Sequence, residues 1–180
     1  MVYMLLGTGF EETEAIAPLD LLRRAGVEVR TVGVNGKIIR SSHKVGIEAD
    51  ILLEELDLSD CEMIVLPGGL GGVASIRDSR KALEAVRAVY DAGKYVAAIC
   101  AGPTVLADLG LLSGVRSTCY PGQIPNMRDA VVVENAACIT EGKIITGTSA
   151  GTAVPFALAL IEALKGVDAA KAIADQIVIR

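Results

Sequence analysis

Short apolar runs alternate with longer amphipathic stretches along the whole chain. Val2–Gly7 is a strand-length apolar run, and Glu11–Ala25 after it repeats apolar residues at helical spacing. Gly26 stands where a glycine commonly ends a helix. Val27–Val34 predicts a second strand. Asn35-Gly36 then predicts a tight hairpin into Lys37–Arg40, with Val45–Ala49 continuing the antiparallel excursion. Glu62–Leu66 is an apolar strand halted by Pro67-Gly68-Gly69. Ser79–Ala92 reads as an amphipathic helix ending at Gly93, and Tyr95–Ile99 as a buried strand. Cys100-Ala101-Gly102-Pro103 turns into a helix running to about Leu109. Val131–Val133 and Ala137–Thr146 predict strands around a Glu141-Gly142 turn, and Gly151–Leu164 and Asp168–Ala174 predict the last helices.

Strands alternating with helices define an α/β class with a mostly parallel sheet. With no linker, repeat or low-complexity tract, residues 1–180 read as one domain. Open sheets of this kind place their sites beyond the C-terminal ends of the strands. Here those ends are Gly7–Glu14, Pro67–Gly72 and Cys100–Pro103.

Composition narrows the functional classes. Hydrophobic residues make up 52% of the chain and aromatics 3%, so the core is aliphatic and disorder is excluded. A net charge of −5 without a basic run argues against nucleic acid as a partner. No stretch approaches the ~18 consecutive apolar residues of a membrane span. Met1–Gly9 lacks a basic leader and meets Glu11 at once, so the expected compartment is the cytoplasm, with no membrane partner. Cys61, Cys100, Cys119 and Cys138 have no metal-type spacing and are expected as free thiols.

Cys100 is the first candidate for chemistry. Ala98-Ile99-Cys100-Ala101-Gly102 puts small residues two before and two after a sulfur at a strand-to-helix turn, as a nucleophile elbow requires. A thiol there faces a helix N-terminus, which favours the thiolate. The second candidate is a carboxylate. At ~100° per residue, Glu11 and Glu14 both fall within the apolar arc of the first helix, and Glu12 lies at its edge. Periodicity does not choose between Glu11 and Glu14. Glycines at Pro67–Gly72 can bring backbone N–H groups to an anion, and Gly147–Thr152 reads as a helix cap or a second anion site, with the cap favoured. His43, the single histidine, lies in a polar turn away from Cys100, which weighs against a Cys–His dyad.

Three segments taken together resemble the ThiJ/PfpI family, in its branch containing the Parkinson-associated deglycase. They are Glu11-Glu12-x-Glu14 with Pro18-x-Asp20 and Arg23-Arg24-Ala25-Gly26; Val65-Leu66-Pro67-Gly68-Gly69; and Ala97-Ala98-Ile99-Cys100-Ala101-Gly102-Pro103. Phe156-Ala157-Leu158-Ala159 and Glu162-Ala163-Leu164 extend the likeness over essentially the whole chain. The resemblance implies a flavodoxin-like fold, a homodimer, and an enzyme without metal or nucleotide cofactor. It assigns Cys100 as the reactive cysteine, Glu14 as the glutamate that holds it, and the Gly69 and Ala101 amides as an oxyanion hole. The implied activity is of the glyoxalase or deglycase type, on methylglyoxal, glyoxal or glycated adducts. The alternative is a redox-sensing or chaperone-like stress protein in which Cys100 is oxidised.

Two positions depart from the family pattern. Its usual Thr-His-Pro aligns with Cys119-Tyr120-Pro121, so Tyr120 replaces the pocket histidine. Its frequent Ser-Arg-Gly-Pro-Gly-Thr aligns with Gly147-Thr148-Ser149-Ala150-Gly151-Thr152, where the arginine is absent. A phenol of ordinary acidity is a weak base at neutral pH. These changes disfavour the protease and amidotransferase readings, which need Cys with His, and leave Tyr120 as a hydrogen-bond donor to substrate.

Overall fold

The computed structural model describes residues 1–179. In chain order the elements are β1 (Val2–Leu6), α1 (Glu12–Arg24), β2 (Val29–Gly33), β3 (Ile38–Arg40), β4 (Gly46–Glu48), β5 (Ile51–Leu52) and β6 (Met63–Leu66). There follow α2 (Leu70–Asp78), α3 (Arg80–Asp91), β7 (Tyr95–Ile99), α4 (Pro103–Asp108), β8 (Arg116–Ser117) and β9 (Val131–Val132). The last are β10 (Cys138–Glu141), β11 (Ile144–Gly147), α5 (Ala153–Lys165) and α6 (Val167–Gln176). Seven strands form one sheet in the order β10-β11-β7-β6-β1-β2-β5, all parallel except β10.

Both faces of this sheet are covered, which is why its strands read as unbroken apolar runs. Tyr3, Leu5, Ile64 and Leu66 point into one core with Val73 of α2, Val86 of α3 and Val105 of α4. Val2, Met4, Met63 and Val65 point the other way, against Leu22 of α1, Phe156 of α5 and Ile173 of α6. The period of two within each strand therefore survives as a choice between two cores. Truncating a fully buried member such as Ile64 is expected to cost about 2–5 kcal/mol, because the close-packed site relaxes only in part.

β1 lies between β2 and β6, so the chain leaves β1 toward one side and later returns on the other. The loops after β1 and β6 consequently diverge to opposite faces and open a crevice at the C-terminal edge. This crevice receives the N-terminus of α1, the Pro67–Gly69 turn and, from the next strand, Cys100.

The structure changes two parts of the expected architecture. Asn35-Gly36 does not join β2 to β3 in a hairpin. β2 is parallel to β1 and β5 on its two sides, and β3 pairs instead with β4 in a separate antiparallel ribbon. The Asn35 side chain turns to the loop after β1 and pins it, its oxygen accepting from Thr8 N at 2.9 Å. Secondly, α2 begins in the segment expected to be a glycine turn. Gly72 is needed there for close packing, since a Cβ would come 2.7 Å from Phe10 Cα. By contrast, Ala137–Thr146 forms the expected strands as the β10–β11 hairpin, turning at Gly142 with φ +58°. The short strands β5 and β8 carry too few residues to show a period.

Candidate active site

β7 ends at Ile99, and the chain then breaks direction at Cys100, whose φ of 64° lies in the left-handed region. A non-glycine residue there stores about 1–3 kcal/mol and must be held by its surroundings. Three backbone bonds hold it: Cys100 N donates to Gly147 O (3.0 Å), Tyr120 N to Cys100 O (3.0 Å) and Gly102 N to Ile99 O (2.9 Å). Gly102 is fixed in type, because a Cβ would lie 2.6 Å from Leu66 O. The spacing of small residues in the sequence thus has its steric cause, and the elbow is present.

Glu14 approaches the same sulfur from α1. Its side chain is 1% exposed. One carboxyl oxygen accepts from Gly68 N at 3.0 Å, and the carboxyl lies beside Cys100 and the Ala150 amide, which both act on its acidity. A Cβ on Gly68 would meet Glu14 Oε2 and lie 2.7 Å from Cys100 Cβ, so glycine is required. Glu11 is the N-cap of α1: its Oε2 accepts from Glu14 N at 2.7 Å, and its own N donates to Gly68 O at 2.9 Å. The two glutamates that periodicity leaves equivalent are thereby separated. Glu11 organises the helix start and Glu14 meets the thiol.

Burial is the largest influence on both members of the pair. It raises Glu14 to about 7, against the opposing Cys100 contact; the Glu11 charge raises it further, and the Gly68 and Ala150 amides pull it back. Burial, then the charge and hydrogen bonding of Glu14, push Cys100 up to about 12, opposed by the amides of Ala101 and Gly69. A helix N-terminus behind the sulfur predicts a thiolate, but α4 has only six residues and its dipole is weak beside these influences. The two titrations are coupled. Once Glu14 holds a proton its charge is gone and it can donate to sulfur, so its electrostatic effect on Cys100 vanishes and its hydrogen-bond effect reverses.

The other three thiols are also pushed up, chiefly by burial: Cys61 and Cys119 to about 11 and Cys138 to about 12. Among the described residues none of the three has a carboxyl hydrogen-bond partner, and all four cysteines are free. The setting of Cys100, with two amides and an acid, is the chemical distinction.

A pocket of about 160 Å³ opens above the sulfur, lined by Glu11, Gly69, Leu70, Cys100, Ala101, Tyr120 and Gln123. Tyr120 is 49% exposed and stands in the wall. His43 stands apart in the β3–β4 turn, with Nδ1 2.8 Å from Glu12 Oε1. Glu11, Glu12 and His43 place three potential metal-ligand atoms within 4.8 Å of one another, but the cap at Glu14 N and the His43–Glu12 bond already engage them. A larger cleft, about 570 Å³, lies at the opposite edge beside Gly93, Lys143 and Ile144, before the strands begin, and is lined by no cysteine. The Ala150 amide, Leu70 and Gln123 join the site without being singled out by the sequence. Only the first has a signal there, in the Gly147–Thr152 stretch that reads as a cap.

A cysteine at a left-handed elbow, facing a buried carboxyl at the edge of a parallel sheet, places this chain among the α/β proteins with an elbow thiol. Comparison with known proteins makes the assignment specific. The DJ-1/PfpI family pattern matches residues 1–163, and the chain belongs to that family. It is 35% identical to Protein dj-1beta of Drosophila melanogaster over 98% of this chain and 95% of that one. The crystal structure of that protein matches with a TM-score of 0.95, covering 99% of this chain and 97% of that one. An oxidized Toxoplasma gondii DJ-1 matches with a TM-score of 0.91 at 34% identity, over 98% and 97% of the two chains. A protein of Pyrococcus abyssi named as a deglycase is 30% identical over 91% of this chain and 99% of its own. Among the described residues, no helix is long and apolar enough to cross a membrane.

Proposed function

We propose that the protein is a cofactor-free, cysteine-dependent enzyme of the glyoxalase or deglycase type, acting on methylglyoxal, glyoxal or their adducts. The observation that carries this reading is geometric: the buried Glu14 carboxyl, held by the Gly68 amide at 3.0 Å, lies beside the elbow cysteine Cys100, and burial raises it to about 7. A carboxyl poised near neutrality can both take and give a proton. The name of the Pyrococcus relative supports the choice of substrate class.

In the first step Cys100 Sγ bonds to the aldehyde carbon. The thiol proton passes to ionised Glu14, and the carbonyl π pair moves to oxygen, where the Gly69 and Ala101 amides and the Tyr120 hydroxyl donate to it. Glu14 returns the proton and gives a hemithioacetal. Glu14 then removes the hydrogen from the former aldehyde carbon, leaving an enediolate, and returns a proton to the neighbouring carbon, while the hydroxyl proton passes to the former ketone oxygen, so that the hemithioacetal becomes an isomeric thioester. Water cleaves the thioester to a 2-hydroxy acid and restores the thiol. In this sequence Glu14 carries the proton at sulfur and at the two neighbouring carbons, so no step is assigned to an imidazole.

The test is lactate formation from methylglyoxal under anaerobic conditions, with the parent and Cys100→Ser compared. Expected is turnover that vanishes in the variant. Equal rates would overturn the reading. Limiting iodoacetamide should label Cys100 before Cys61 or Cys138. A second reading, oxidation of Cys100 to a sulfinate with Glu14 as hydrogen-bond donor, is favoured by the oxidized state of the Toxoplasma relative. Addition of two oxygens to Cys100 by mild peroxide, without turnover, would select it.

A further inference from the structure

The pocket over Cys100 has an unusual charge balance. Its lining contains one carboxylate, Glu11, and, among the described residues, no lysine, arginine or histidine. Leu70, Gly69 and Ala101 add apolar or backbone surface, and Tyr120 and Gln123 add neutral polar groups. The Asn126 amide donates to Gln123 Oε1 at 3.0 Å, which leaves the Gln123 amide N–H groups as neutral donors. Below the sulfur lies a second acidic group, Glu14. The guanidinium fixed behind the elbow offers no compensation. Arg77 donates to Thr104 Oγ1 at 2.6 Å and to Asp108 at 2.9 Å, and that aspartate also binds Arg128 at 2.8 Å. Its field is absorbed within α2, α4 and the segment after β8. Glu11 cannot turn away freely, because its Oε2 holds the N-cap bond to Glu14 N.

We propose that this pocket is an anion-excluding carbonyl site in which Glu11 acts as the charge filter. It admits neutral carbonyl compounds and those carrying an ammonium or guanidinium group, and it rejects aldehydes bearing a carboxylate or phosphate. The assignment of carbonyl compounds rests on the function proposed above; the charge filter does not. The filter has a chemical consequence for turnover. A neutral 2-oxoaldehyde gives a carboxylate product, which the same Glu11 then repels, so entry and release are both served by one group. Glu11 is thus a specificity residue as well as a helix cap.

The test uses the alkylation of Cys100, which requires no turnover. Iodoacetamide and iodoacetate are nearly equal in size and differ by one negative charge. In both cases sulfur bonds to the methylene carbon as iodide leaves, and the thiol proton passes to the Glu14 carboxylate or solvent. Rates at Cys100 are read by mass mapping and divided by those of 2-mercaptoethanol, a neutral thiol. The iodoacetamide preference is expected to exceed that of the free thiol about tenfold at low salt and to shrink as salt screens Glu11. Glu11→Gln keeps an oxygen to cap Glu14 N and should reduce the preference to within about threefold. Glu84→Gln, on exposed α3, should leave it unchanged.

A parent preference equal to that of the free thiol overturns the filter, as does a preference that survives Glu11→Gln and high salt. In parallel, methylglyoxal is compared with 4,5-dioxopentanoate, a 2-oxoaldehyde that carries a carboxylate. Charge-selective alkylation without methylglyoxal turnover upholds the filter and sinks the enzyme reading. Equal turnover of the two aldehydes with unselective alkylation does the reverse.

Discussion

Glu12 and Glu14 sit two residues apart in the first turn of α1, facing the same helix dipole. Their fates are opposite. Glu12 lies toward solvent. Desolvation works against its charge, but its own backbone amide, the Ser41 and Ser42 hydroxyls and His43 outweigh this and hold it below the usual range. Glu14 is swung some ~200° round the helix into the crevice, where burial outweighs the Gly68 and Ala150 amides and raises it to about 7. The dipole favours both anions and so cannot account for the difference. What separates the two is which side of the helix meets the turns after β6 and β7, at Gly68 and Cys100.

The largest expected effect comes from breaking the buried member. Glu14→Gln preserves shape and removes the mobile proton, and methylglyoxal turnover should fall by about a thousandfold or more. The Cys100 thiol should meanwhile become more acidic above neutrality, because the Glu14 charge that raises it is gone. A thiol titration curve that does not move would place Glu14 out of contact with Cys100.

Stability provides the next test. The folded state holds the Glu14 proton more tightly than the unfolded chain, whose value is near 4.5. The stabilisation this gives is present in full below that value and is lost as pH rises to about 7, by roughly 3 kcal/mol at the upper bound. Urea melts at pH 5 and pH 8 should show it, and Glu14→Gln should flatten the change. A parent protein equally stable at both pH values, with a flat variant, would mean that the raised value is wrong.

The pocket wall should respond more weakly. Tyr120→Phe removes one donor without touching the proton-sharing pair, and turnover should drop about tenfold, or ~1.4 kcal/mol. Because donation needs no deprotonation, the pH profile should keep its shape. The solvent-facing member of the comparison should matter least. His43→Ala frees Glu12 from its imidazole partner and should leave turnover within about threefold. A large loss there, with Tyr120→Phe unaffected, would revive a cysteine–histidine enzyme completed across a dimer.

Much of this arrangement is legible in the chain. Three apolar runs, Val2–Leu6, Met63–Leu66 and Tyr95–Ile99, become the central strands, because residues buried on both sides must all be apolar. Cys100 is legible because a left-handed elbow tolerates only small neighbours, and Ala98 and Gly102 show it. Gly26, at φ +67°, ends α1 where the sequence places a stop.

The rest depends on contacts remote in sequence. Periodicity leaves Glu11 and Glu14 equivalent, since each lies on the apolar arc; the approach of Gly68, 54 residues onward, decides which meets the sulfur. Asn35-Gly36 carries a hairpin signal of local strength, but pairing of β2 with β1 and β5 commits its backbone groups elsewhere. The acidity of the pair is likewise a tertiary property. A helix N-terminus beside a cysteine argues for a thiolate, whereas burial against an ionised carboxyl argues for a thiol, and only the packed crevice gives the second its larger weight. The sequence by itself determines which segments are strands, which turn must be sharp and which residues can do chemistry, because these follow from local sterics and hydrophobic period. Tertiary structure alone determines which carboxyl faces which sulfur and where the proton rests, because desolvation and charge act through space and take no account of order along the chain.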